Sequence, residues 1–155
     1  TPGSNWFQAL KEFPMTREPQ TRKVDRSAAR VFWNRAQQCA GMMVEALDRR
    51  HWEAAGVNAV HAAISANDAV LVALRGVKPS SANHKDAVRV LLSQLKEEDE
   101  GKAAKRLGVI VAKKSRVEYD EKRFTEKEAR EIVLDAQRFL EWAKSRLPKA
   151  LREGA

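Results

Sequence analysis

From Ser27 onward, apolar residues recur every three or four positions: Phe32, Ala36, Cys39, Ala40, Met43 and Leu47. That spacing lays one apolar stripe along a helix, with Arg30, Arg35, Gln37 and Gln38 on the far side. Asp25 or Ser27 can cap it by accepting a bond from an early helical N–H. After a turn within "LDRRHWEAAG", a second helix is predicted from about Trp52 to Arg75. Ala, Val and Leu occupy nearly every side of it, which marks the central and most buried helix. Gly56 near its start costs about 1 kcal/mol relative to Ala, so a close helix contact there is expected to need the missing side chain.

"GVKPSSANH" ends that helix, because Gly76 suits a C-cap and Pro79 cannot continue it. Ser81 or Asn83 can cap a third helix whose Val88, Leu91, Leu92 and Leu95 face inward. "KEEDEG" reads as a solvated break. Ala103, Ala104, Leu107, Ile110 and Val111 predict a fairly short fourth helix, and "SRVEYDEKRF" an ordered loop. Thr125 and Glu128 then form a capping box opening a last helix along Ile132, Ala136, Phe139, Leu140, Ala143 and Leu147, stopped by Pro148. Residues 1–24, with Pro2, Pro14 and Pro19, read as an irregular arm able to dock through Trp6, Phe7, Leu10 and Phe13. Residues 25–148 form the bundle and 149–155 a tail. No useful strand alternation is present, so the expected fold is all-α, an antiparallel bundle of about five helices.

Polar residues interrupt the apolar second helix. At about 100° per residue, Asn58, His61, Ser65, Asp68 and Arg75 share an arc of roughly 100°. Burying such groups unpaired costs roughly 1–3 kcal/mol each, so the stripe must be wet, internally bonded or covered by a polar partner. One reading is internal bonding on the wet side of an amphipathic helix; another is a cleft or dimer contact, with Asp68 orienting His61 or His84. A Ser-His-Asp hydrolase is excluded on geometry: the residues stack along one helix side, where mid-helix amides are already bonded and supply no oxyanion hole. His84 and Lys85 open the third helix, where a bound anion is favoured; plain capping is the alternative.

Composition narrows the chemistry. At 155 residues the chain reads as one domain able to bury roughly 68–70% of its unfolded surface. Lys and Arg outnumber Asp and Glu 29 to 21, a formal charge of +8 that favours phosphate-rich partners. The lone Cys39 excludes an internal disulfide, and no Cys/His cluster has metal-ligand spacing, so neither a metal nor another cofactor is implied. Ser65, Asn67 and Asp68 break the longest apolar stretch short of the roughly 18 residues of a membrane span. A cytoplasmic location is expected.

"NAVHAAISANDAVLVALRGVKPSSANHKDAVRVLL" and "SRVEYDEKRFTEKEAREIVLDAQRFLEWAKSRL" together resemble the HEPN domains. The shared elements are the Ala-rich helix Ala59 to Leu74, the turn Gly76 to Pro79, His84, the Tyr119–Asp120 pair, and Thr125–Glu128. The resemblance implies a helical bundle that forms a homodimer, often paired with a minimal nucleotidyltransferase in toxin–antitoxin systems. Its catalytic members are metal-independent ribonucleases with an Arg and a His four to six residues apart. Here no histidine follows an arginine at that spacing, and "KKSRVEYD" offers Arg116 and Tyr119 instead. The expectation is therefore a non-catalytic module for nucleotide, RNA or a partner protein. Asn58, His61, Ser65, Asp68, Arg75, His84 and Lys85 would form its cleft, with Arg116 and Tyr119 at the rim. The alternatives are a divergent ribonuclease using His84 or His61, with Arg75 or Arg116 on the phosphate, and a partner-dependent scaffold.

Overall fold

In the computed structural model, which describes residues 19–80, 84–96 and 98–153, the apolar stripes meet around a single helix. The long helices are α1 (Ala29–Asp48), α2 (Trp52–Arg75), α4 (Glu98–Tyr119) and α5 (Glu126–Arg146). The shorter α3 (Lys85–Gln94) joins them, and a five-residue α6 (Lys149–Glu153) follows Pro148. The fold is all-α apart from one small ribbon, in which β1 (Thr21–Lys23) pairs antiparallel with β2 (Val77–Pro79).

The central helix packs against α1, α3, α4 and α5. It can do so because its contact faces are small: Ala55, Ala59, Ala62, Ala63, Ala66 and Ala69 are all fully buried. The expected close approach at Gly56 is present. A Cβ there would lie 2.5 Å from Val117 Cγ2 and 2.9 Å from Phe124 Cε1. By length and composition alone α2 could cross a membrane, but 67% of its apolar window is buried inside the bundle, as in the core helix of a folded domain.

The turns follow local chemistry. Gly76 takes the left-handed conformation (φ 65°) and donates its N–H to Val72 O, closing α2 as its missing Cβ permits. Between α1 and α2, Arg50 is left-handed (φ 61°), with Arg50 N–H on Leu47 O and His51 N–H on Ala46 O. That pair of bonds is a Schellman closure. The Thr125–Glu128 capping box is present in both directions.

Several expectations are corrected. The lead-in is not irregular throughout, since Thr21–Lys23 forms β1; residues 1–18 lie outside the described residues. Asp25 caps the 3-10 turn Arg26–Ala28, accepting from Ser27 N–H, rather than α1 itself. Ser81 and Asn83 also lie outside the described residues, and no side chain caps α3 at His84. The fourth helix is long, not short. It begins inside "KEEDEG", where Glu100 is buried against Arg146 at 2.9 Å, and it runs through "SRVEY" to Tyr119. Val117 packing into the space left by Gly56 stabilises that extension, and pairs such as Lys114–Glu118 one turn apart add to it.

Candidate functional site

The polar stripe of α2 is divided between two neighbours. At its N-terminal end, the Asn58 amide turns back and donates to Ala54 O on its own helix. One turn on, His61 is exposed, with Nε2 3.9 Å from Glu118 Oε1 on α4. The other Glu118 oxygen holds Lys114 Nζ at 2.8 Å. Lys114 Nζ also lies 5.2 Å from the centre of the Tyr119 ring, which is 72% exposed. Hydrogen bonding to Glu118 raises the Lys114 pKa, so the ammonium is charged at neutral pH.

His84 completes the group from the start of α3. Partial burial comes first, and the charges of Lys114 and His61 next, in pushing its pKa below the usual 6.5; Glu118 acts in the opposite direction. A neutral imidazole therefore stands near a second imidazole, an ammonium and a carboxylate, and the Tyr119 phenol lies on the ammonium. Such a set can bind a phosphate, and His84 can accept a proton at neutral pH.

Asp68, two turns beyond His61, does not meet either imidazole. Its carboxylate is buried and lies 3.6 Å from Lys78 Nζ on β2. Burial pushes its pKa up from 3.8 to about 6, against the opposing pull of Lys78, Arg35 and Arg22. The ribbon register explains this arrangement. Arg22 stands directly opposite Lys78, a like-charge pair that is unfavourable on its own. Asp68 is their shared counter-ion. The expected role of orienting a histidine is thus replaced: β2 carries Lys78 back along α2, while the longer α4 brings Glu118 to His61.

The other stripe residues serve the bundle. Ser65 is buried. Arg75 donates from Nε to Gln94 O at 3.3 Å and from Nη1 to Leu74 O at 3.1 Å, tying the end of α3 to α2. Lys85 is exposed in the first turn of α3. Arg116, expected at the rim, donates to Lys122 O, Arg123 O and Glu128 Oε1 at 2.7–2.9 Å. It organises the turn into α5 instead of facing a ligand. The site thus brings together His61, His84 and Tyr119 of the expected residues and adds Lys114 and Glu118. Among the described residues, no group of three or more His, Cys, Asp or Glu side chains is placed to hold a metal ion.

In a comparison with protein families, the HEPN domain matches residues 29–147, which span the bundle from α1 to the end of α5. The chain belongs to the HEPN family. Against curated proteins and against solved structures it has no match. The HEPN domain holds the whole imidazole cluster and both partners of the Asp68–Lys78 pair, whereas β1 precedes it.

Proposed function

We propose that this HEPN domain is a non-catalytic binding module for phosphate-bearing ligands, nucleotides or RNA. The phosphate is met by Lys114 with His61 and His84, and Tyr119 offers its ring to a base. One observation carries this: three elements deliver these side chains to one face, although none of them fills the core. Lys114 supplies a fixed charge, and the exposed His61 ring adds a polar contact beside it. The exposed phenol supplies a stacking surface of the kind that holds unpaired bases. Titration calorimetry at low salt with a panel of nucleotides and short RNAs tests it. Heat is expected with the wild type and is expected to be lost in Lys114→Ala and His84→Ala. A panel that gives no heat with any ligand removes this function.

A second function, metal-independent RNA cleavage, is favoured by the lowered pKa of His84. A neutral imidazole can take the 2′-hydroxyl proton while His61, beside Glu118, donates one to the leaving oxygen. Incubating RNA with the protein and a chelator decides between the two. Products with cyclic phosphate ends, absent with His84→Ala, indicate cleavage, and intact RNA indicates binding alone.

A further inference from the structure

The C-terminal end of the α2 stripe opens into a notch of about 680 Å³ lined by Lys23, Asp25, Arg26, Arg75, Gly76 and Val77. Three of these side chains are cations. Lys23 and Arg26 are exposed and, among the described residues, make no ion pair or side-chain hydrogen bond. Arg75 uses Nε and Nη1 on carbonyls, which leaves Nη2 unbonded. The single carboxylate, Asp25, already accepts from the Ser27 amide at 2.9 Å and hydroxyl at 2.7 Å.

The notch is not isolated. Arg75, Asp68 and His61 are seven residues apart in turn, so they rise along one face of α2 in steps of about 10 Å. Each level presents at least one cation, paired with Asp68 at the middle level and with Glu118 at the upper. The lowest has Lys23, Arg26 and Arg75; the middle has Arg22, Lys78 and Arg35 around Asp68; the upper has Lys114 with the two imidazoles. The exposed large apolar side chains, Val31, Met42, Val44, Val109, Tyr119 and Leu134, all lie on α1, α4 and α5. Among the described residues, none of these belongs to the ribbon or to the notch lining.

We infer that the notch is a second phosphate site, and that the ribbon, whose exposed strand β1 lies over the buried Asp68 level of α2, is a track for one single strand of RNA running from the notch to the imidazole cluster. The track builds on the phosphate-binding function proposed above and specifies its ligand as a strand, not a mononucleotide. The two ends are about 21 Å apart along α2. A ligand that bridges them gains the second site intramolecularly, which strengthens binding without any new contact.

Fluorescence anisotropy with end-labelled oligouridylates of about 2, 4, 8 and 12 nucleotides, the range of single-strand site sizes, tests this. Affinity should climb with length until the strand bridges both sites and then level off. In the double variant Lys23→Ser/Arg26→Ser, checked by circular dichroism to be folded, the longer oligomers should bind about tenfold more weakly, with the salt slope reduced by about 1.4 for two lost phosphate contacts. The shortest oligomers should bind the variant as they bind the wild type. If RNA binds but neither its length nor the double variant matters, the track is wrong and the phosphate function stands. If no oligomer binds, both fall. A polyglutamate peptide that depends on Lys23 and Arg26 while RNA does not would show an acidic-protein site and overturn the assignment.

Discussion

Replacing Asp68 with Asn removes a charge while keeping the shape of the side chain, and the structure fixes how the consequence varies with pH. The carboxyl is buried, and its pKa stands near 6 rather than 3.8. That displacement corresponds to roughly 3 kcal/mol between the protonated and ionised forms. A raised native pKa means that the folded protein holds a proton between about pH 4 and 6 that the unfolded chain has released. Stability from this group is therefore fully present below pH 4 and is lost as pH rises through 6. In Asp68→Asn that loss cannot occur. Lys78, Arg35 and Arg22 lose their counter-ion in the variant, an offset that drops out when the difference at one pH is compared with the difference at another. The quantity to measure is the difference in unfolding free energy between variant and wild type, from urea titrations followed by circular dichroism at pH 4, 5, 6 and 7. It should shift by roughly 2 kcal/mol in favour of the variant between pH 4 and 7, mostly before pH 6. Parallel curves, or a shift in the opposite direction, would refute the burial argument. Asp25, Glu126 and Glu128, whose pKa values are lowered, cancel because both proteins contain them.

Gly56→Val should destabilise by about 2–3 kcal/mol in thermal or urea unfolding, since the new methyls would enter space held by Val117 and Phe124; an unchanged midpoint would mean that α4 and the following loop yield freely. Arg116→Met should cost roughly 2–3 kcal/mol by stripping charged bonds from two carbonyls and Glu128. The same variant should bind nucleotides or RNA like the wild type, and weakened binding in a folded Arg116→Met protein would restore Arg116 to the site. Thr125→Ala should cost about 1 kcal/mol through loss of the cap, read as earlier exchange of the first amides of α5.

What the sequence discloses here is chiefly what is local. Gly76 and the Thr125–Glu128 pair announce helix ends because their chemistry acts within four residues, and the apolar faces of α1, α3 and α5 are periodic enough to read directly. The second half of α4 is not, because "SRVEY" has only Val117 to bury, and that residue fits a gap made by Gly56 sixty-one positions earlier. Ending that helix early hid Lys114 and Glu118, although their spacing of four is itself a helical signal. The ribbon is three residues per strand, too short to alternate visibly, and without it Lys78 gives no hint of pairing with Asp68. His61 and His84 were recognisable as candidates from residue type and place, whereas their shared carboxylate depended on the length of a different helix.

The alanine-lined centre also limits how this protein can change over time. Six methyl-sized side chains with no exposed surface leave little volume to delete, and any enlargement must push apart the helices that surround them. Substitutions tolerated in the interior should therefore gather on α3, α4 and α5, where Leu, Ile and Phe can exchange volume with one another. The middle of α2 should drift slowest in any lineage that keeps the bundle.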